Sequence, residues 1–294
     1  MSAPHRGIPW RRQPGGLLSL LGPPAAWFLL FFALPLAVVW AYSFGTNVGP
    51  ADIAITGSFG NYARALEPVI LGVFLKSLAL AGLATLICLL VGFPVALAIA
   101  FAPRAAKAWL LIAIMLPFWT NLLVRTYALM TVLQDEGLVN TALGGLAALI
   151  GLPFAPLRLL NTDFAVIVGL VYVHLPFMVL PIYAVLDRMD RSLIEASLDL
   201  GAGHLRTMAL VVIPLAAPGI LAGLLLTFVP ALGSYLAPEL LGGADSLMIA
   251  NIIERQFKRA NDWPFGAALA FLLVYLTFFV LALRPLFARG PAEP

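Results

Sequence analysis

The residues of this chain whose types and spacing suggest chemistry gather in one stretch, Arg191 to Leu215, which reads R-S-L-I-E-A-S-L-D-L-G-A-G-H-L-R-T-M-A-L-V-V-I-P-L. It is a charged patch between two long apolar runs. Ser192 and Glu195 have the spacing of a capping box, in which the hydroxyl accepts the Glu195 amide proton and the carboxylate returns to the Ser192 amide. Gly201 is placed to end the helix in a left-handed conformation. The pattern predicts a helix of about two to three turns, too short to be stable alone in water. It must therefore lie on something. Ile194 and Leu198 form one apolar edge, with Leu193, Ser197 and Leu200 beside it. Glu195 and Asp199, four apart, share a stripe and repel. A helix N-terminus offsets part of that repulsion, and a basic partner surface would offset the rest. The chemistry on offer is recognition of another protein, not bond breaking. An amphipathic helix resting on lipid headgroups is the alternative. The acidic stripe argues against it, because the inner leaflet is anionic.

Nothing else in the chain has catalytic spacing. There is no G-x-x-x-x-G-K-[ST] run and so no nucleotide site of that kind. H-E-x-x-H, C-x-x-C and G-x-S-x-G are also missing. Cys88 is a lone thiol among Leu86, Ile87, Leu89 and Leu90, which suits packing. An intramembrane enzyme would need paired catalytic residues at membrane depth. A secondary transporter would need buried acids for ion coupling. The apolar runs offer neither.

The elements that must position the patch are membrane spans. The 294 residues are 62% hydrophobic and 11% charged, and a soluble domain carries about twice that charged fraction. The net charge of +3 is no nucleic-acid signal in such a chain; basic residues here set topology. A span needs about 20 apolar residues. Six segments qualify, near 24–43, 72–101, 109–132, 164–186, 209–232 and 265–287. The expected fold is all-α, a six-span domain over 24–287 with the patch at 188–214, a segment 1–23 before it and a tail 288–294 after it. Leu138 to Leu152 is too short to span and predicts a short helix at one interface. With the N-terminus in the cytoplasm, Arg6, Arg11, Arg12, Arg104, Lys107, Arg188, Arg191, Arg206, Arg284 and Arg289 fall inside. Arg64, Lys76, Arg158, Arg255, Lys258 and Arg259 fall outside. That bias puts both termini and the patch on the cytoplasmic side.

The patch resembles the cytoplasmic coupling segment of bacterial ABC importer permeases, an E-A-A run, a Gly a few residues on and an Ile-Pro ending. The matching residues are Glu195, Ala196, Gly201, Ile213 and Pro214, with Asp199 inside the run. Ser197 stands where the pattern has Ala. The wider chain is similar to the spermidine/putrescine branch of that family, its first permease subunit in particular. The residues that carry this are Leu116 to Ala128 (L-P-F-W-T-N-L-L-V-R-T-Y-A), Gly169 to Ala184, Phe228 to Gly243 (F-V-P-A-L-G-S-Y-L-A-P-E-L-L-G-G) and Asp262 to Ala268 (D-W-P-F-G-A-A). The resemblance implies a type I importer permease in the bacterial inner membrane. It implies a second permease subunit, a dimer of ATP-binding subunits that hold ATP and Mg, and an extracytoplasmic solute-binding protein. This chain itself would hold no cofactor and catalyse nothing. Relatives of this architecture also carry other small cations, phosphonates, opines and thiamine.

Polar residues inside the spans mark a path or a gate by default. Arg125 is the one basic residue deep inside a span, Lys76 and Arg284 lying at span ends. It either pairs with a carbonyl or with an acid such as Asp135, or it serves the path. His174 bonds a neighbouring helix or meets substrate. Trp119, Thr120, Asn121, Tyr127 and Tyr235 line the path or make helix contacts. Pro214 and Pro218 are expected to open the fifth span and Pro230 to end its regular part. Phe228, Pro230, Ser234 and Tyr235 are then the outward end of the path, or a kink against a neighbour. Glu239, Asp245, Glu254 and Asp262 form an acidic outer face that attracts a cation, or an ordinary solvated loop.

Overall fold

The computed structural model describes residues 14–49 and 52–282. The tail 288–294, the last residues expected in the sixth span and most of the segment before residue 24 lie outside these. The apolar runs become helices because backbone groups at membrane depth have no water to bond. Among the described residues, five stretches are long and apolar enough to cross a bilayer: Ser19–Tyr42, Pro68–Phe101, Asp163–Leu186, His204–Leu232 and Trp263–Ala282. In chain order the helices are α1 (Pro14–Phe28), α2 (Leu34–Tyr42), α3 (Gly60–Ala65), α4 (Pro68–Phe101), α5 (Arg104–Trp119), α6 (Leu122–Leu133) and α7 (Leu138–Leu149). They continue with α8 (Asp163–Leu186), α9 (Ser192–Asp199), α10 (His204–Thr207), α11 (Ile213–Leu232), α12 (Leu236–Leu241), α13 (Ile249–Lys258) and α14 (Trp263–Ala282). A short antiparallel hairpin, β1 (Gly45–Asn47) with β2 (Ile53–Ile55), pairs Thr46 with Ala54.

The third expected span, 109–132, is not continuous. It is broken between α5 and α6, and the stretches Arg104–Trp119 and Leu122–Leu149 meet at 92°. Thr120 leaves the helix with ψ 148°, its hydroxyl donating to Pro117 O at 2.7 Å. Asn121 then starts α6 by accepting the Leu123 amide at 2.8 Å.

The prolines also act differently from expectation. Pro214 does not open the fifth span, which begins ten residues earlier at His204. A π turn, Met208–Val212, precedes it. A proline lacks the amide and its ring crowds the carbonyl four residues back, and the wider turn absorbs both. Leu29–Ala33 does the same ahead of Pro35. Pro230 lies inside α11, and the chain leaves the helix only at Gly233.

The core is α4, α8 and α11 packed on one another. Small residues make this possible, since van der Waals contact drives helix association where lipid is as apolar as the side chains. Ala81, Ala84, Ala96, Ala165 and Ala216 are buried. Gly219 and Gly223 bring α11 against α8: a Cβ on Gly219 would stand 2.7 Å from Pro181 O, and one on Gly223 2.8 Å from Met178 Sδ. Cys88 is buried in this core, its thiol 3.7 Å from Val171 O. Trp40 Nε1 donates to the Tyr275 hydroxyl at 2.8 Å and ties the first span to the last.

Candidate functional site

The charged patch folds as α9, held between the ends of α8 and α11. Its start is not the expected capping box. The Ser192 amide donates to Asp190 Oδ1 at 3.0 Å, and no side chain caps from Arg191. Asp190 is two residues ahead of the amide it accepts, the local geometry its short carboxylate favours. That bond, with a smaller contribution from the Ser192 hydroxyl, holds the Asp190 carboxyl below the usual carboxylate range. The bond is therefore intact at neutral pH and above, and is lost only as the pH falls through that lowered value. The expected result is that Ser192→Ala leaves uptake near the parent level. Asp190→Ala should lower it several-fold and Asp190→Asn less, measured in the assembled transporter.

The end of α9 follows expectation. Gly201 has φ 83°. Its amide donates to Leu198 O at 2.9 Å, and the Ala202 amide to Ser197 O at 3.1 Å. This is a Schellman ending, which needs a residue without a Cβ penalty. Two further bonds fix α9 to its neighbours. Arg191 Nη2 donates to Ala100 O at 3.2 Å, with its guanidinium 4.9 Å from the Phe101 ring. The Ser197 and Thr207 hydroxyls lie 3.0 Å apart, so the residue that departs from the E-A-A pattern clasps α9 to α10. Ile194 and Leu198 turn inward to a cavity of about 230 Å³ with Leu97, Phe101, Met208 and Val212. Glu195, Ala196 and Asp199 are exposed. Leu200 and Leu205 beside them are each 89% exposed. Ile213 and Pro214 stand on α11 beyond the π turn, as part of the span and not of this tip.

The residues expected on the path do not form one closed site. Pro230, Ser234, Tyr235 and His174 share a cavity of about 250 Å³ with Leu122 and Leu170. His174 Nδ1 lies 2.8 Å from Leu170 O of its own helix. Trp119 is 82% exposed and borders a separate apolar groove on α5 with Leu111 and Met115. Tyr127 is exposed, and the Asn121 side chain caps α6. Phe228 packs against the core around Leu80 and Leu170, not into the cavity. Arg125 is buried and turns to carbonyls: Nη2 donates to Thr120 O at 3.0 Å and to Phe118 O at 3.2 Å. Asp135 is exposed at the α6–α7 turn and takes no part.

At the end of the bundle opposite α9 the acids are largely spent on arginines. Glu239 pairs with Arg255 at 3.3 Å and Arg259 at 3.7 Å. Asp262 pairs with Arg64 at 2.7 Å, and Glu254 with Lys258 at 3.0 Å. Asp245 is exposed and borders a cavity of about 520 Å³ with Arg158, Glu239 and Arg255. One residue here was not singled out from the sequence. Asn251, 1% exposed, donates to Tyr235 O at 2.9 Å and to Glu239 Oε2 at 3.0 Å, and accepts the Met248 amide at 3.2 Å. It fixes the turn at Tyr235 to α13. The signal was the helical spacing of Ile249, Ile252, Ile253 and Phe257, which makes 249–258 an amphipathic helix where a loop was expected.

The similarity of this chain to known proteins agrees with its fold. The family model described as "Binding-protein-dependent transport system inner membrane component" matches residues 18–291. The chain is 42% identical to the spermidine/putrescine transport system permease protein PotB of Escherichia coli over 247 residues, 84% of this chain and 88% of that protein. It is 30% identical to the inner membrane ABC transporter permease protein YdcU of Escherichia coli, over 94% of this chain and 91% of that protein. Among solved structures, a chain of a bacterial ABC transporter involved in import of the acidic polysaccharide alginate matches with a TM-score of 0.72 at 17% identity, covering 96% of this chain and 98% of that chain.

Proposed function

The chain belongs to the binding-protein-dependent transport system inner membrane components, and from that premise we propose that it is one pore-forming subunit of an ATP-driven importer of spermidine and putrescine. It pairs with a second permease subunit. A dimer of ABC ATP-binding subunits, which hold the ATP and Mg, drives the pair. An extracytoplasmic binding protein delivers the polyamine. Both termini and α9 are cytoplasmic. This chain hydrolyses nothing and holds no cofactor.

The observation that carries the solute is the 42% identity to a spermidine/putrescine permease across 84% of the chain. The geometry of α9 supports the mechanism. Glu195, Asp199, Leu200 and Leu205 form an exposed tip that docks in a cleft of the ATP-binding subunit. The Ser197–Thr207 contact and the Arg191–Ala100 bond pass its movement to α11 and α4. Coupling thus rests on Glu195, Ala196, Ser197, Asp199 and Gly201, while Ile213 and Pro214 belong to the helix that is moved. Pro230, Ser234 and Tyr235 line the path at the far end, with Trp119, Asn121 and Tyr127 on the face left for the second permease. Asp245 is the exposed carboxylate there that attracts a cation. Glu239 and Asp262 act chiefly as partners of arginine.

Reconstituted with its partner permease, ATP-binding subunit and binding protein, the chain should take up labelled spermidine only with ATP. Alone it should show neither ATPase activity nor uptake. Ion-gradient-driven uptake by the chain alone would make it a secondary transporter. A binding protein that polyamines do not stabilise against melting would remove the solute and leave the importer.

A further inference from the structure

The break between α5 and α6 raises a physical problem at membrane depth. A chain that leaves the helix at Thr120 takes the carbonyls of Phe118 and Thr120 away from the amides four residues on. An unbonded carbonyl in hydrocarbon costs several kcal/mol. Arg125, 6% exposed, meets both with one nitrogen of its guanidinium. The cation is also 5.6 Å from the Tyr172 ring of α8 and 6.0 Å from the Phe118 ring. Phe118 in turn stands edge-on to Phe177 of α8, with ring centres 5.4 Å apart. Arg125 Nε is buried without a partner among the described residues. The arginine is thus not stationed to meet a cation. Its charge is turned back on its own chain and on α8.

We propose that Arg125 is a positioning residue that holds the third span in its broken form and so fixes Trp119, Thr120 and Asn121 on the face left for the second permease. Its charge replaces the water that would otherwise solvate the break. A lysine, with a compact ammonium in place of a planar fork, keeps the charge but reaches the two carbonyls less well. The transport arm of the test rests on the importer reading; the stability arm does not.

In the complete complex, Arg125→Gln should lower the maximal rate of spermidine uptake tenfold or more, with the half-saturating concentration changed less than threefold. Arg125→Lys should recover part of the rate. In a Cys88→Ala, Trp119→Cys background, Arg125→Gln should change the labelling rate at position 119 by a soluble thiol reagent. The decisive arm is a double-mutant cycle. Replacing Pro117 by Ala and both Thr120 and Asn121 by Leu gives a sequence able to run as one helix. Arg125→Gln should lower the melting temperature of the parent complex but change that of the straightened one little. If Arg125→Gln prevents assembly of the parent, it should assemble in the straightened background. The proposal is overturned if Arg125→Gln transports at the parent rate with unchanged labelling. It also fails if Arg125→Lys alters the half-saturating concentration and leaves the rate intact, which would mark a solute contact. Failure of Arg125→Gln to be tolerated in the straightened background would overturn it as well.

Discussion

Gly201→Val abolishes spermidine uptake while the complex still inserts and assembles; this is the expected result with the largest functional effect. The glycine has φ 83°, and among the described residues nothing lies within 4 Å of where its Cβ would be. The cost is therefore in the backbone and not in a clash. A β-branched residue in the left-handed region costs about 1–2 kcal/mol. The helix it ends has eight residues, too few to stand on its own hydrogen bonds. A loss of about 1–2 kcal/mol changes the population of the ordered tip by a factor of about 5–30. The strain also breaks the pair of bonds from Gly201 and Ala202 that close α9. Gly201→Asn, which tolerates that conformation, should keep a measurable rate. Glu195→Lys attacks the same tip from its other end by placing a cation in the first turn of α9, against the dipole. Uptake by the assembled variant is the measurement. Normal uptake in both Gly201→Val and Glu195→Lys would end the reading of α9 as the coupling element.

The second large effect is on folding. Gly219→Val should prevent α11 from docking on α8. Its new Cβ would meet Pro181 O at 2.7 Å, Val185 Cγ2 at 3.0 Å and Ile182 Cα at 3.1 Å. Two of these are backbone atoms of a buried helix and cannot turn aside, as a methionine end could. Overpacking usually costs about 1–3 kcal/mol, and a backbone contact puts this site at or above the upper end. The complex should melt well below the parent or fail to assemble. Gly82 makes the control, because among the described residues nothing lies within 4 Å of its Cβ position. Gly82→Ala should be neutral or stabilising by up to about 1 kcal/mol, since alanine loses less freedom than glycine in a helix. Equal melting temperatures for Gly219→Val and the parent would contradict the packing of α8 on α11.

What the sequence determined by itself is what solvent alone enforces. A segment in lipid must be apolar along its whole length, so composition marked the spans. A polar island between two of them must leave the bilayer, so the patch at 188–205 stood out with its glycine. Gly201 was legible because a left-handed helix end has so few acceptable residues. Other features depend on partners distant in sequence or on backbone geometry that composition does not record. The break at Thr120–Asn121 adds only two small polar residues to an apolar window, and hydropathy averages over it. Arg125 left a carbonyl or an acid such as Asp135 open as its partner, and the fold decides for the carbonyls freed by that break. Pro214 read as a helix start, whereas one wide turn lets the helix run through it. The capping pattern of Ser192 and Glu195 was satisfied on paper, yet Asp190 reached the amide first. The acids near 239–262 suggested attraction of a cation; folding brings Arg64, Arg255 and Arg259 onto two of them. Local backbone geometry decided at Asp190, Arg125 and Pro214, where the bonding partners or the wide turn lie within a few residues. Packing of whole elements decided for Asp262, whose partner Arg64 is far away along the chain, because a polar group takes the nearest good partner in space.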